Sequence, residues 1–312
     1  MRVVRHWKGL TAADQGASVA LGNFDGVHRG HQRVIALAAK AAGATGAPLG
    51  VVSFEPHPRR IFQPDAPPFR LMRPDQLARA LAALGVDVLY ILPFDGEMAG
   101  LTDRAFVEQV LHQGLGVRHV AVGFDISFGK GRTGSPEGMA AFGEALGFGV
   151  SIAGAVAGPG GEKFSSTSVR DALRQGRPQD AAAILGRPFA IEGVVQHGRK
   201  LGRALGFPTA NVNLGDYVAP RFGVYATRTR LPDGREVPGV ANLGVNPTVD
   251  GTTEPRLEVW LFDFDEDLYD QTLETDLVAF LRPEAKFASL DEMTRQVMAD
   301  AQAARDLLLP PL

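Results

Sequence analysis

Cysteine is absent from this chain of 312 residues. Without cysteine no disulfide can form, and zinc sites built on thiolates and cysteine nucleophiles are both excluded. The absence is compatible with a reducing compartment. Any chemistry at a functional site must therefore come from histidine, carboxylate, hydroxyl, amide or cationic side chains.

Long apolar runs are also missing. No stretch approaches the roughly 18 apolar residues that a membrane-spanning helix requires, and the most apolar stretch, residues 146–158, is short and rich in glycine. The first ten residues, MRVVRHWKGL, contain no apolar core of the kind that a signal peptide carries. The sequence therefore predicts a cytoplasmic protein that does not enter the membrane.

The chain also lacks a strong excess of one charge. The net charge is -3, with 19 basic against 16 acidic residues in positions 1–185 and 13 against 19 in positions 186–312. Neither half is cationic enough to predict a nucleic-acid partner. The 45% hydrophobic and 21% charged residues are close to the average of soluble globular domains, which excludes a disordered chain.

The length predicts two domains at about 150 residues each. In the first half, short apolar runs alternate with amphipathic ones, which is typical of a parallel sheet with helices on its faces. Ligands of such sheets bind at the carboxyl ends of the strands. The predicted strands are 17–21, 49–54, 86–93 and 119–123, and the predicted helices are 28–42, 74–84 and 103–115.

The second half has strand patterns without intervening helices, which predicts an antiparallel sandwich or barrel. A helical segment at 168–185 precedes it, and a closing helix at 289–309 begins with a plain N-cap, Ser289 followed by Glu292. We therefore expect domains at 1–185 and 186–312, with the boundary near Gly186. The predicted strands are 189–196, 223–231, 237–243, 256–264 and 272–281.

The first group of candidate site residues lies where the first strand turns into a helix. Gly22 and Gly26 permit a tight turn and a close approach to a ligand. His28 and His31 are three residues apart and share one face of the first helical turn. Free N–H groups and the helix dipole favour phosphate at that position, and the two imidazoles can donate to it. Surface histidines or a metal pair are the alternatives, but a metal pair needs a third ligand.

Four ordered motifs resemble the prokaryotic bifunctional riboflavin kinase/FAD synthetase family. They are Gly22–His31 with its His-x-Gly-His core, Phe54–Pro58, Val122–Arg132, and Phe164–Arg170 with its Ser-Ser-Thr-x-x-Arg pattern. The similarity continues through the second half and covers nearly the whole chain. It implies a Rossmann-like nucleotidyltransferase domain followed by a β-barrel riboflavin kinase domain with a closing helix.

For the first domain, the resemblance implies transfer of AMP from ATP to FMN, with His28, His31 and Arg170 as catalytic residues. Ser165, Ser166 and Thr167 also fit a helix N-cap, and Phe62 also fits ordinary core packing, so the residues alone leave these roles open. The residues implied to bind nucleotide or flavin are Gly22, Asn23, Phe24, Asp25, Gly30, Phe62, Asp125, Phe128, Ser165, Ser166 and Thr167.

The second group of candidates follows a stretch rich in glycine and cations, residues 198–211. It lacks the Gly-Lys-Ser/Thr ending of a Walker A loop, yet Gly202 and Gly206 allow backbone N–H groups to face phosphates. A flexible surface turn is the alternative. Pro208–Asn211 resembles the Pro-Thr-Ala-Asn motif of riboflavin kinases, which implies Mg²⁺ bound by Thr209 and Asn211, both hard oxygen donors.

Glu258 is a carboxylate among apolar residues of a predicted strand, where it is either paired, at an edge, or a catalytic base. The resemblance implies the base that receives the proton of the riboflavin 5′-hydroxyl. It also implies that Arg282 closes over the ATP phosphates, whereas a solvated charge is the alternative.

Some positions depart from the family pattern. Lys163 stands where arginine is usual, Ile126 replaces an aromatic residue, Trp260 replaces a smaller ring, and Ala204 replaces a hydroxyl residue. The loss of the guanidinium fork at Lys163 and of an aromatic ring at Ile126 weakens the expected phosphate and flavin contacts there. None of the proposed catalytic groups is removed.

We therefore expect an enzyme that makes FMN from riboflavin and then FAD from FMN, with ATP and Mg²⁺ in both steps. Three alternatives stay open: a nucleotidyltransferase with another acceptor, a protein in which one domain only binds flavin, and a flavin carrier without activity. The expected partners are the small-molecule substrates, without nucleic acid or membrane. The sequence leaves protein partners and a homo-oligomer open.

Overall fold

The structure, a computed structural model, describes residues 1–158, 161, 163–197, 206–245 and 254–309. Within them the chain forms two compact units. The first comprises Met1–Ala66 and Pro74–Ser165, and the second comprises Pro67–Arg73 and the described residues from Ser166 onward. Each unit has its own sheet and its own hydrophobic core.

The first unit is built on a six-stranded sheet in the spatial order β1-β4-β3-β2-β5-β6. The strands are β1 Arg2–Val4, β2 Ser18–Leu21, β3 Leu49–Glu55, β4 Val88–Pro93, β5 His119–Gly123 and β6 Gly149–Ala153. Every neighbouring pair is parallel, so all carboxyl ends lie at one edge of the sheet. The inner strands are buried along most of their length, as expected under helices on both faces. The predicted parallel sheet is confirmed.

Helices connect these strands. They are α1 Arg29–Thr45, α2 Pro58–Phe62, α3 Pro74–Ala83, α4 Gly96–Gly100, α5 Asp103–Ala105 and α6 Pro136–Leu146. A π-helical segment, Phe106–Gly114, directly continues α5 where the pattern predicts one α-helix. That segment buries Phe106, Val107, Val110 and Leu111, so the predicted apolar face is correct although the helix is wound differently.

Two edge strands, β1 and β6, are absent from the sequence-based prediction. The three residues of β1 are too few to show a period of two. Strand β6 is half-exposed and begins at Gly149, where a Cβ would lie 3.0 Å from the His119 ring of β5. A glycine that lets the neighbouring strand approach looks, in the sequence alone, like a loop residue.

The second unit is a closed barrel in the order β10-β11-β8-β7-β12-β9. Its strands are β7 Phe189–Gln196, β8 Ala210–Asn213, β9 Gly223–Arg230, β10 Glu236–Val245, β11 Pro255–Leu261 and β12 Thr272–Pro283. All pairings are antiparallel. The structure therefore confirms the barrel rather than the sandwich and adds β8, which the strand pattern does not predict.

Three helices accompany the barrel: α7 Ser166–Arg174, α8 Pro178–Leu185 and α9 Leu290–Leu308. Helix α9 packs Ala301, Ala304 and Leu308 against the outer barrel face. The Ser289 hydroxyl accepts a hydrogen bond from Glu292 N at 3.2 Å, so the predicted N-cap is confirmed. Among the described residues, no helix is long and apolar enough to cross a bilayer.

Candidate functional site

The segment between β2 and α1 is a tight, buried turn. Phe24 and Val27 have φ angles of 52° and 45°, and Gly26 lies between them at 89°. Left-handed backbone is costly for branched or bulky residues and persists only where the surroundings enforce it. Here Val27 N donates to Phe24 O at 2.9 Å, Ser53 Oγ donates to Asn23 O at 3.1 Å, and Phe24 and Val27 are each 1% exposed.

His28 is the N-cap of α1 rather than its first residue. Its Nδ1 accepts a hydrogen bond from His31 N at 3.3 Å, and the side chain is 6% exposed. An Nδ1 that accepts leaves Nε2 as the protonated nitrogen of a neutral imidazole. The two rings stack with 3.6 Å between centroids, and Phe24 meets the His31 ring edge-on at 5.1 Å. The structure thus brings together the two histidines that the sequence predicts.

Gly30 occupies the first turn of α1, beside the histidines. A Cβ at this position would lie 3.0 Å from the His28 ring and 3.2 Å from Phe164 O. Both distances are tighter than ordinary packing, so a side chain here would push the imidazole or the backbone of Phe164 away. Glycine is needed at this position for a close approach, in addition to any contact with a ligand.

The predicted flavin-side residues follow β5 at the same edge of the sheet. Asp125 is exposed and forms an ion pair with Lys163, Nζ to Oδ2 at 2.6 Å. The Lys163 ammonium also lies 4.8 Å from the centre of the Phe124 ring. Phe128, by contrast, packs against Phe106 and the hydrophobic core of this unit. Asp125 is therefore placed at an open surface, whereas the Phe128 ring supports the loop from inside.

Phe62 ends α2, which follows β3. Its side chain is 65% exposed, and its ring meets Phe94 edge-on with 5.7 Å between centroids. Core packing, one alternative for this residue, is therefore excluded by the structure. An exposed aromatic ring at the ligand-binding edge of the sheet is available to stack on a planar group.

The Ser-Ser-Thr-x-x-Arg motif lies at the start of α7. Ser165 directly precedes the helix, and Ser166 and Thr167 are in its first turn. Arg170 is 8% exposed, donates from Nε to Phe69 O at 2.7 Å, and lies over the Phe69 ring. Arg170 thus fastens the segment Pro67–Arg73 within the second unit.

The kinase candidates form a row across the barrel. Glu258 on β11 is directly opposite Asn211 on β8 and directly opposite Asn242 on β10. Directly paired residues of neighbouring strands share one face. Because Leu257 and Val259, the neighbours of Glu258, are 0% exposed inside the barrel, the row lies on the outer face. Glu258 is half-buried, and Asn211 is 6% exposed with Nδ2 donating to Thr209 O at 3.3 Å.

A cleft of about 450 Å³ opens beside Thr209. Its lining comes from apolar side chains of β7, β8 and β11 and from the acidic turn that follows β11. A cleft of this size is within the range of about 300–1,000 Å³ typical of small-molecule sites. Lining residues include Val195, Thr209, Val259, Leu261, Phe264 and Tyr269.

The remaining predicted site residues of the second half are Gly202, Gly206 and Arg282. Gly202 lies outside the described residues, as does most of the glycine-rich stretch, whereas Gly206 is described with a φ of 88°. The Arg282 guanidinium is bound to Asp300 of α9, with Nη2 to Oδ2 at 2.7 Å. Arg282 is therefore an ion-paired side chain rather than a freely solvated charge.

The oxygen donors near Thr209 suit an ion that is shared with a substrate rather than an ion held by protein side chains alone. The described residues contain no group of three or more histidine or carboxylate side chains arranged to hold a metal. Mg²⁺ in nucleotide sites keeps several waters and uses one or two protein ligands together with substrate phosphates. The Thr209 hydroxyl and the Asn211 amide oxygen, two residues apart with Glu258 opposite Asn211, fit such a shared ion.

Two residues of these surroundings, Asn242 and Asp300, are not among the predicted site residues, and Lys163 is predicted only as a departure from the family pattern. The strand register places Asn242 beside Glu258. Lys163 is a departure from the family pattern, and its pairing with Asp125 depends on contacts 38 residues apart. Asp300 has a signal in the sequence, because it is an acidic residue next to the apolar stripe of the closing helix.

The chain matches two family models. One described as FAD synthetase matches residues 10–168, and one described as riboflavin kinase matches residues 185–308. Each model therefore covers a different half of the chain, in the order that the sequence motifs predict.

Curated relatives align over almost the full length. A protein from Pseudomonas fluorescens, named bifunctional riboflavin kinase/FMN adenylyltransferase, is 43% identical over 310 residues, 99% of each chain. The protein of that name from Escherichia coli (strain K12) is 40% identical over 307 residues, 98% of this chain and 97% of its own.

A solved structure described as a macrolide-efflux protein from Streptococcus pneumoniae is also similar. It has a TM-score of 0.86 and 31% sequence identity, and the match covers 97% of this chain and 98% of that one. The architecture of both units therefore recurs in another solved structure.

Proposed function

The chain belongs to the family of bifunctional riboflavin kinase/FMN adenylyltransferases, and on that basis we propose which of its residues carry each reaction. The protein is a transferase with two activities. Its C-terminal half phosphorylates riboflavin with ATP to give FMN, and its N-terminal half adenylylates FMN with ATP to give FAD and pyrophosphate. We assign residues 1–185 to the second reaction and 186–312 to the first, in the cytoplasm and with Mg²⁺ in both.

In the adenylylation, an oxygen of the FMN phosphate attacks the α-phosphorus of ATP in line. A P–O bond to that phosphorus forms, the bond to the β-phosphate bridge breaks, and pyrophosphate leaves. Such a reaction depends on positioning and on stabilising negative charge. The N-terminus of α1, the His28 Nε2–H and the His31 ring provide both, since they converge within one helical turn.

The flavin of FMN has an exposed surface to bind at the same sheet edge. The Phe62 ring is available for stacking on the isoalloxazine, and Asp125, held by Lys163, offers a carboxylate oxygen to a flavin N–H. Backbone groups of Gly22, Asn23, Phe24 and Asp25 line the approach to the phosphates. Ser165, Ser166, Thr167 and Arg170 are proposed to bind ATP phosphates, with hydroxyl and guanidinium donors suited to them.

In the kinase reaction, the riboflavin 5′-hydroxyl attacks the γ-phosphorus of ATP, and ADP leaves. We assign Glu258 as the base that takes the hydroxyl proton, because a half-buried carboxylate stands in the row between Asn211 and Asn242. Thr209 and Asn211 would hold Mg²⁺, which neutralises the charge of the β- and γ-phosphates when bound. The apolar lining residues of the neighbouring cleft suit the adenine ring.

One incubation tests this assignment of two reactions to one chain. Purified protein is mixed with riboflavin, ATP and Mg²⁺, and the flavins are separated by chromatography over time. We expect FMN to appear first and then to convert to FAD. FMN that accumulates without FAD would contradict the adenylylation site, and inert riboflavin together with inert FMN would favour a carrier or another acceptor.

A further inference from the structure

Asp300 is a buried carboxylate that neither reaction uses directly. It lies in the middle of α9 and is 6% exposed. A carboxylate buried to this extent is costly unless its oxygens are hydrogen-bonded and its charge is paired. Asp300 meets both conditions through a single arginine and a neighbouring amide.

The partner is Arg282, near the end of β12. Its Nε lies 3.0 Å from Oδ1 and 3.1 Å from Oδ2, and its Nη2 lies 2.7 Å from Oδ2. Gln296 Nε2 adds a bond to Oδ1 at 3.0 Å. A guanidinium that binds both oxygens of a carboxylate fixes the orientation of the two side chains and also pairs their charges. A lysine ammonium pairs the charge but does not fix the orientation.

Arg282 itself belongs to the row of kinase candidates. Arg282 is directly opposite Val224 of β9. Val224 is also opposite Asn242 of β10, and Asn242 is opposite Glu258 of β11. The row Asn211–Glu258–Asn242 therefore extends across β9 to Arg282 on β12, whose guanidinium is bound by Asp300 of α9.

Residues 283–287, which follow Arg282, bring Glu284 close to the row Asn211–Glu258–Asn242. Glu284 lies over β10, because a Cβ at Gly244 would overlap with Glu284 Oε1 and would lie 3.4 Å from Asn242 Nδ2. Arg282 Nη1 donates to Pro283 O at 2.9 Å, and its guanidinium lies 5.8 Å from the centre of the Phe287 ring. Residues 283–287 are thus gathered around Arg282, with Glu284 next to the neighbour of the proposed base.

The two ends of this segment are both fastened to α9. Arg282 is bound by Asp300, and Ala288 N donates to Glu292 Oε2 at 2.8 Å beside the Ser289 cap. The capping contacts are exposed, whereas the carboxylate of Asp300 is buried. The buried contact is therefore the one that sets where the segment begins.

We propose that Asp300 is a positioning residue for riboflavin phosphorylation, acting through Arg282 to hold residues 283–287 against the row Asn211–Glu258–Asn242. The proposal rests on the proposed function, since it takes Glu258 as the base. Asp300 touches no reacting atom. It fixes the guanidinium, the guanidinium fixes the segment, and the segment places Glu284 beside Asn242.

The test is a mutant cycle read on two activities of the same protein. Asp300→Asn and Arg282→Gln each lower kcat for riboflavin phosphorylation by about 10- to 100-fold, more than they raise KM for riboflavin, because misplacement of about 1 Å is costly. Adenylylation of supplied FMN is unchanged. The double variant is no slower than Arg282→Gln alone, since residues that act as one unit are not additive.

The control is Asp306→Asn on the same helix. Asp306 accepts from Gln302 at 2.8 Å with the spacing seen between Asp300 and Gln296, but it is exposed. Both activities of this variant match the wild type. If Asp300→Asn does not fold, Arg282→Lys replaces it, because it keeps the charge and loses only the fork; we expect the same loss of kcat.

Three results would overturn the proposal: full kinase activity in Asp300→Asn, full kinase activity in Arg282→Lys, or a double variant whose losses multiply. Glu258→Gln, measured alongside, separates this inference from the proposed function. If Glu258→Gln is inactive as a kinase while Asp300→Asn is not, the inference alone fails. If Glu258→Gln is fully active, the assigned base fails and the inference falls with it.

Discussion

The imidazole rings of His28 and His31 stack with 3.6 Å between centroids and 22° between planes. The stack is built into the helix start, because His28 caps α1 by accepting from His31 N. His28 therefore begins the helix, and in the proposed site its second nitrogen is the one that would face a phosphate.

Replacing these histidines tests that arrangement. We expect His31→Ala, which leaves the cap in place, to lower the rate of FAD formation from FMN by about 10²- to 10³-fold, the range for loss of one charge-stabilising donor. Riboflavin phosphorylation should not change, since its residues belong to the other unit. His112→Ala, at an exposed histidine, is the control. Equal loss of both activities in His31→Ala would contradict the assignment.

Gly30 and Gly43 form a matched pair on α1. A Cβ at Gly30 would lie 3.0 Å from the His28 ring, whereas a Cβ at Gly43 would have nothing within 4 Å. Gly30→Ala should displace His28 and slow FAD formation at least tenfold. Gly43→Ala should keep activity and raise the free energy of unfolding by about 0.5–1 kcal/mol, because alanine is favoured in helices. A fully active Gly30→Ala would show that the His28 position is not critical.

His119 predicts how stability depends on pH. Its Nε2 lies 2.9 Å from Ser151 Oγ and its Nδ1 lies 3.2 Å from Ser18 Oγ, and burial lowers its pKa below the usual 6.5. Below pH 6.5 the unfolded chain takes up a proton that the folded chain resists. The contribution of His119 to the free energy of unfolding is therefore complete above pH 6.5 and decreases as the pH falls.

Urea unfolding of the first unit, followed between pH 7.5 and 5, measures this effect. His119→Gln keeps donors and acceptors for both serines but cannot titrate, so its pH dependence should be shallower. His112→Gln, at an exposed histidine, is the control variant. Identical slopes for wild type and His119→Gln would rule out His119 as the source.

The proposed Mg²⁺ ligands predict a metal-dependent defect. Thr209→Ala removes one hard oxygen donor, so riboflavin phosphorylation should need more Mg²⁺ for half-maximal rate and run about tenfold slower at a fixed low concentration. Thr272→Ala, at an exposed threonine of β12, serves as the control. A Mg²⁺ titration that superimposes on the wild-type curve would remove Thr209 from the site.

The sequence predicts most of the fold, because long strands and helices with a clear period are encoded locally. Strand β5 and strand β7 were predicted at their observed ends. The elements that were missed, β1, β6 and β8, are short or begin at a glycine, and they exist because a neighbouring strand supplies their hydrogen bonds.

The candidate sites also contain residues that local sequence brings together and residues that only tertiary structure brings together. His28 and His31 are three residues apart, so local helix geometry alone brings them together. The row that includes Glu258 depends on the register of β8, β11 and β10, which short motifs do not specify. Asp300 and Arg282 are 18 residues apart and meet only because α9 packs back on the barrel.

Glu258→Gln, assayed on riboflavin and on FMN separately, tests most directly whether one chain carries two independent sites. The protein is given each flavin in turn with ATP and Mg²⁺, and products are separated by chromatography. We expect phosphorylation of riboflavin to fall by about 10²- to 10⁴-fold, as for loss of a general base, while FAD forms from FMN at the wild-type rate. Wild-type phosphorylation of riboflavin by Glu258→Gln, or loss of both reactions in a folded protein, would contradict the assignment.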